Sequence, residues 1–209
     1  EKHGVDDNGS GNRLLDLRAQ CLAWEPIWEN EGTVESQLTS ALRGSDLSPA
    51  WKMLLLSEGS VTRHLEILTG SKVRIECLEM ETVDDLSGSP FVIPEVLAIP
   101  RPLIQRQVFL YTEGATQPCV YAMSWWNLNK ANQFLTDVSS PIWVNLSNNK
   151  IELYREIKAL YRGNSDQLEM HMHDSGPFWG RHYSFWHKGE LLTVIFEAFS
   201  NGLDVFLKD

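Results

Sequence analysis

The spacing of apolar positions is mostly helical in the first quarter of the chain, over residues 14–56. Thr33 is a suitable N-cap for a helix that ends near residue 42. Ser48-Pro49 predicts the start of a second, largely buried helix, because proline is favoured at the first helical position. Residues 60–68 are expected to form a further short helix or turn.

Beyond residue 70 the pattern becomes that of strands. Residues 73–80 alternate loosely, as in a half-buried strand, and the Asp-, Ser- and Pro-containing stretch 82–94 predicts a loop. Two pairs of apolar, β-branched and aromatic runs follow, and each pair predicts a hairpin. The pairs are residues 103–111 with 118–127, and residues 178–187 with 191–199 around Lys188-Gly189.

Two further segments are predicted as helices. Residues 127–137 resemble a short surface helix. Residues 151–161 are ambiguous, but Ile151, Tyr154 and Ile157 lie at helical spacing, so periodicity alone predicts a helix there.

These elements predict an α+β domain over residues 48–209, with an antiparallel sheet and helices. Residues 1–12 are polar and glycine-rich, which is typical of a disordered lead-in. Residues 13–47 are expected to form a helical N-terminal extension to the domain.

The composition of the chain excludes some classes of protein and disfavours some partners. The hydrophobic fraction of 43% and the charged fraction of 22% are ordinary for a soluble globular protein. No apolar run is long enough to predict a membrane span. Eighteen basic residues against 28 acidic ones give a net charge of -10, which disfavours nucleic acid as a partner. Three widely spaced cysteines favour a reducing compartment.

A metal site is conceivable at one place. His171 and His173 would lie on one face of a strand, with Asp174 next in the chain, but no third ligand is spaced to complete a zinc site. A solvated loop is the other interpretation. Phosphate-binding and dinucleotide-binding glycine motifs are absent from the sequence.

The adjacent Trp125 and Trp126 would place one ring on each face of a strand. The simpler interpretation is core packing on both faces. The alternative is an aromatic wall for a planar ligand.

Two isolated charges point to a functional site more clearly than the two tryptophans do. Arg106 and Glu197 each interrupt an otherwise apolar strand, where neither charge is needed for solubility. A charge buried alone costs several kcal/mol. Each side chain must therefore point to solvent, pair with the other or face a ligand.

Several stretches, in this order, resemble chorismate pyruvate-lyase, in particular its cyanobacterial and plastid-type branch. The matching stretches are residues 51–56 with 59–62, residues 104–110, residues 121–125, residues 140–142, and residues 179–181 with 189–197. The resemblance spans about residues 50–200. It implies an antiparallel sheet, helices that cover an internal ligand cavity, and a strand rather than a helix at residues 151–161.

The resemblance also assigns site residues. Arg106 would clamp the ring carboxylate of chorismate, with help from backbone groups at Val61 and Ile142. Glu197 would face the hydroxyl and ether oxygens, and burial would favour its protonated form, so that it could donate a proton. The reaction releases pyruvate and leaves 4-hydroxybenzoate without a cofactor.

One departure from the family pattern concerns a second arginine. Bacterial members place it on the strand after the first hairpin, where this chain has Met123. Arg181, His182 or His187 are candidates to replace it, and Arg181 is also a candidate for a purely structural residue. The departure leaves room for an altered substrate or lost activity.

Two functions therefore remain open. The first is a lyase in the chloroplast stroma or the cytoplasm of a cyanobacterium-like cell, monomeric, with a small aromatic or cyclohexadiene carboxylate as ligand. The second is a non-catalytic protein on the same fold that binds a small molecule, or a protein partner through residues 13–47.

Overall fold

The computed structural model describes residues 23–31, 42, 45, 47–86, 91–137, 140–148 and 150–208. The predicted lead-in over residues 1–12 lies outside the described residues. The same holds for the predicted helix that begins at Thr33, of which only Leu42 is described.

Within the described residues, seven strands form an antiparallel sheet with the order β1-β5-β6-β7-β4-β3-β2. Their bounds are β1 Glu25–Glu31, β2 Val73–Val83, β3 Leu103–Thr112, β4 Val120–Asn127, β5 Tyr154–Asn164, β6 Phe178–His187 and β7 Glu190–Phe199. The predicted α+β class and both predicted hairpins are confirmed.

Short helices connect and cover the strands. They are α1 Pro49–Leu56, α2 Val61–Thr69, α3 Leu128–Phe134, α4 Ile142–Asn148, α5 Asp166–Met172 and α6 Asp204–Leu207, with 3₁₀ turns at Pro94–Ala98 and Asn201–Leu203. The predicted start of α1 is confirmed, because the Ser48 side chain accepts a hydrogen bond from the Trp51 backbone N–H at 3.1 Å. Ser60 caps α2 in the same way through the Arg63 N–H.

The two faces of the sheet are covered differently. On the front face, α1, α2 and α6 pack Leu55, Leu65 and Leu207 against strand residues such as Val108 and Phe199. The back face is covered by the Pro94–Ala98 turn and α5, which contribute, among others, Val96, Leu168 and Met172. Trp126 packs on the front face and Trp125 on the back face, so the predicted split of the two rings is confirmed, and both are buried in the core.

Residues 154–164 form strand β5, as the resemblance implied, and the helix expected from periodicity is wrong. The register between β5 and β6 shifts between Ile157 and Ala159. Such a bulge breaks strict alternation after Ile157, and Ile151 lies before the strand begins, so residues 151–161 do not show the pattern of a regular strand.

The helical expectation for residues 13–47 is wrong for residues 25–31, which form β1 at the edge of the sheet. The backbone of β1 hydrogen-bonds to β5, and the neighbouring Trp24 ring contacts Tyr161 and Phe196 at centroid distances of 6.4 and 5.3 Å. Pairing with the free edge of β5 thus overrides the helical spacing of apolar residues in this segment. A domain boundary at residue 47 stays a prediction.

The strand expected at His171 and His173 is also wrong. Ser165 caps α5, which contains His171, and His173 ends that helix in the left-handed conformation with φ 50°. Two residues separated by two positions on a helix do not share a face. Among the described residues no group of three metal-ligating side chains comes together.

Candidate functional site

A cavity of about 390 Å³ opens on the front face of the sheet. Its floor comes from side chains of β3, β4, β5, β6 and β7, and its walls come from the first turns of α2 and α4. Both Arg106 and Glu197 line it, although they lie on strands separated by β4. The structure therefore brings together the two isolated charges that the sequence singled out.

Arg106 lies on β3 and is 2% exposed. Its Nη2 donates a hydrogen bond to the Ser140 carbonyl at 3.2 Å. Burial lowers the pKa of the guanidinium, while the nearby Cys77 thiol and Asp137 carboxylate oppose that change. A largely desolvated cation at a cavity wall provides a fork that can bind a carboxylate in a bidentate manner.

Glu197 lies on β7 with both carboxyl oxygens engaged. Oε2 accepts a hydrogen bond from Arg181 Nε at 2.7 Å, and Oε1 accepts one from the Tyr183 hydroxyl at 2.9 Å. Burial, and next the Glu197 charge, raise the pKa of the Tyr183 hydroxyl, so this group stays a donor. Both carboxyl oxygens of Glu197 are therefore held by neighbouring donors.

Arg181 is fully buried behind Glu197. Its Nη1 donates to the carbonyls of Leu54, Leu55 and Ser57 at 2.8, 3.1 and 3.0 Å. These carbonyls belong to the last turn of α1 and the residue after it, where helix carbonyls lack intrahelical donors. The described part of the cavity lining includes Glu197 but not Arg181, so Arg181 acts here as a residue that positions Glu197.

Val61 and Ile142 line the cavity as the first residues of α2 and α4. Backbone N–H groups in a first helical turn have no intrahelical acceptor and carry the positive end of the helix dipole. The first turns of two helices, with backbone donors that lack intrahelical acceptors, therefore lie in the cavity wall.

Met123 points away from this site. It packs in the back-face core, whereas its neighbour Ala122 lines the cavity. The strand position that the resemblance associates with a second arginine therefore carries no side chain into the cavity in this chain. His182 also lies on the back face, where its ring nitrogens contact Tyr161 and Glu95. His187 contacts the Glu152 carbonyl instead.

Sequence reasoning missed Arg155, a second arginine that does line the cavity. It lies on β5, is 8% exposed, and its Nη1 donates to the Gly59 carbonyl at 2.6 Å. The guanidinium carbon lies 4.3 Å from the ring centroid of Tyr183 and 4.6 Å from that of Phe185. Unlike Arg106, it has charged neighbours in its strand, Glu156 and Lys158, and the ambiguity of residues 151–161 hid the strand itself.

His64, on α2, is a second cavity residue that sequence reasoning missed. Burial lowers the pKa of its imidazole, and the positive charges of Arg181 and Arg155 lower it further. The ring is therefore neutral at neutral pH.

Comparisons with known proteins identify the family of this chain. The model of a family described as Chorismate pyruvate-lyase Rv2949c-like matches residues 55–207. The ycf21 protein of Cyanophora paradoxa is 33% identical over 88% of this chain and 92% of its own length. The ycf21 protein of Porphyra purpurea is 30% identical over 86% of this chain and 95% of its own length.

Among solved structures, the effector domain of PhnF from Mycobacterium smegmatis superposes with a TM-score of 0.52 at 10% identity. The alignment covers 70% of this chain and 91% of that domain. At this identity the likeness concerns the fold alone. The helices in the described part of the chain are all too short or too polar to cross a membrane.

Proposed function

This chain belongs to the Rv2949c-like chorismate pyruvate-lyase family, and from that premise we propose that it eliminates pyruvate from chorismate to leave 4-hydroxybenzoate. The observation that carries the proposal is that Arg106 and Glu197 line one cavity on the same face of the sheet. That cavity, at about 390 Å³, is in the size range of small-molecule sites.

In the proposed complex the ring carboxylate of chorismate binds the Arg106 guanidinium. The backbone N–H groups at Val61 and Ile142, in the first turns of α2 and α4, complete the anion site. The hydroxyl of the ring then points toward Glu197, whose carboxylate accepts a hydrogen bond from it.

The chemistry needs one bond to break and one proton to move. The ether bond between the ring and the enolpyruvyl oxygen breaks, and the hydrogen on the hydroxyl-bearing ring carbon is lost as the ring becomes aromatic. That proton adds to the methylene carbon of the enolpyruvyl group, which leaves as pyruvate. Transfer within the substrate balances all atoms and requires no cofactor, so the protein has to select the reactive conformer in a dry cavity.

Glu197 suits an orienting role in this step. Arg181 and Tyr183 both donate to it, so the carboxylate is fixed in position before the ligand arrives. A fixed acceptor costs no reorganisation during the reaction.

The second candidate function is ligand binding without chemistry. Two observations favour this function. Both oxygens of Glu197 already accept hydrogen bonds from the protein without a ligand. The fold is shared with the effector domain of PhnF. In this case residues 13–47 would serve as a docking element for a protein partner.

We also propose that the protein works as a monomer in a plastid stroma or in the cytoplasm of a cyanobacterium-like cell. The support is that its relatives named ycf21 come from algae such as Cyanophora paradoxa and Porphyra purpurea. Free Cys77 and Cys119 thiols are compatible with a reducing compartment.

The test is incubation of the purified chain with chorismate, followed by chromatographic detection of 4-hydroxybenzoate. The lyase function predicts product above the spontaneous background, and predicts that Arg106→Ala abolishes the excess. Binding of 4-hydroxybenzoate without any product would instead support the binding function.

A further inference from the structure

Arg155 and His64 both line the cavity, and each has one polar atom without a partner. Arg155 Nε and His64 Nδ1 are inaccessible to solvent and have no hydrogen-bond partner among the described residues. Buried polar groups without partners cost free energy, and nearly all of them in folded proteins are satisfied. Both residues therefore have hydrogen-bonding capacity that no described residue uses.

Arg106 and Arg155, two of the three arginines that line the cavity, lie on well separated strands. Arg106 lies on β3 and Arg155 on β5, which are four strand steps apart in the sheet, with Glu197 on β7 midway between them. Neighbouring strands are about 4.8 Å apart, so the two backbones are separated by about 19 Å along the sheet. A ligand between them meets a cation at each end.

Arg155 forms no ion pair in the described part of the chain, although the charges of Glu197 and Glu58 act on it from beyond contact distance. Its contacts are the Gly59 carbonyl and the faces of the Tyr183 and Phe185 rings, and within the described part of the chain no carboxylate lies at ion-pair distance. Aromatic faces and one carbonyl stabilise a buried guanidinium less than an anion does. An anion is therefore the missing partner.

His64 can add a neutral donor beside this charge. The Ser57 hydroxyl oxygen accepts a hydrogen bond from the Gly59 N–H at 3.0 Å and lies 3.3 Å from His64 Nε2. When the hydroxyl donates to Nε2, the neutral ring carries its proton on Nδ1, which is the unsatisfied atom.

We infer that Arg155 and His64 form a second anion subsite, which binds a second carboxylate on a ligand whose first carboxylate is held by Arg106. The ligand class is thus a small ring dicarboxylate rather than a monocarboxylate. The inference rests on the proposed function only in placing the ligand in this cavity.

The test compares two stable ligands by calorimetry. One is 3-(carboxymethoxy)benzoate, with two carboxylates, and the other is 3-propoxybenzoate, which replaces the second carboxylate by an ethyl end. The wild type should bind the dicarboxylate at least about tenfold more tightly than 3-propoxybenzoate. Arg155→Met should bind both ligands with about equal affinity, with little change in the affinity for 3-propoxybenzoate.

Arg162→Met is the matched control. Arg162 lies on the same strand, stacks over the Trp179 ring at 5.1 Å and hydrogen-bonds to Asn201, but is not among the residues that line the cavity. It should keep the full preference. If Arg155→Met does not fold, His64→Leu gives the same test, with an expected reduction of the preference of about threefold or more.

The outcomes separate this inference from the proposed function. Equal binding of both ligands by the wild type, or an unchanged preference in Arg155→Met, would overturn the second subsite. A preference that depends on Arg155 in a protein without chorismate turnover would support the subsite and refute the lyase function. A wild type that binds neither ligand would overturn both.

Discussion

Arg181 Nε lies 2.7 Å from Glu197 Oε2, with both side chains at most 2% exposed, at directly opposed positions of β6 and β7. The same guanidinium holds three carbonyls at the end of α1. One buried cation therefore fixes both the helix that covers the sheet and the carboxylate that faces the cavity.

Replacing Arg181 by Met should destabilise the protein strongly. It leaves Glu197 buried without its charge partner, which costs about 3–5 kcal/mol for a broken buried pair. For a chain of this size each kcal/mol lowers Tm by roughly 2–4 °C. Differential scanning calorimetry measures the change. Lys130→Met, which breaks the exposed pair with Glu190, is the control and should leave Tm nearly unchanged. Equal small changes in both variants would show that the buried pair contributes little.

Arg106→Ala should weaken binding of 4-hydroxybenzoate. Loss of a buried charge-assisted partner costs about 2–5 kcal/mol of affinity, while the free energy of unfolding should change less, because water can enter the cavity. Calorimetric titration of both forms measures the difference. Arg74→Ala is a suitable control, since Arg74 lies on the neighbouring strand β2 and stacks over the Tyr111 ring at 3.8 Å. Unchanged affinity in Arg106→Ala would make this arginine a structural residue.

Glu197→Gln distinguishes orientation from proton transfer. Glutamine keeps the shape and one acceptor but cannot exchange a proton at neutral pH. We expect the variant to keep turning over chorismate, with a rate reduced by less than about a hundredfold. Loss of a general acid or base typically reduces the rate by at least about that factor. Affinity for 4-hydroxybenzoate should change little, and Glu190→Gln should behave as wild type. A loss well beyond a hundredfold would assign proton transfer to Glu197.

His64 should make the free energy of unfolding depend on pH. Its pKa is lowered in the folded protein from an ordinary value of 6.5, mainly by burial and then by Arg181 and Arg155. The unfolded chain therefore binds the proton first as pH falls, and the free energy of unfolding decreases below about pH 6.5. Urea unfolding of wild type and His64→Gln between pH 7.5 and 5.5 tests this. We expect a flatter profile for the variant, and parallel profiles would contradict the assignment.

The sequence was sufficient to single out Arg106 and Glu197, because a lone charge in a long apolar strand is visible without coordinates. Arg155 does not stand out in this way, because Glu156 and Lys158 are its neighbours and helical spacing predicted a helix there. The bulge between Ile157 and Ala159, which no local pattern predicts, further obscured the strand.

The Arg181–Glu197 pair was hidden for a related reason. His187 pairs with Glu190 around the Lys188-Gly189 turn, and a regular ladder from there would place Gly180 opposite Glu197. The register shifts by one between Phe185 and Trp186, which brings Arg181 to that position instead. A one-residue shift moves every later side chain to the other face, so the pairing depends on tertiary packing.

The most direct measurement is a single-turnover reaction with the protein in excess over chorismate, in which 4-hydroxybenzoate and pyruvate are both quantified. Product release limits many multiple-turnover rates and then hides the chemistry, and excess protein removes that obstacle. Our account predicts equal amounts of both products, formed faster than the spontaneous reaction and abolished by Arg106→Ala. Intact chorismate, recovered from a protein that still binds 4-hydroxybenzoate through Arg106, would contradict the lyase function.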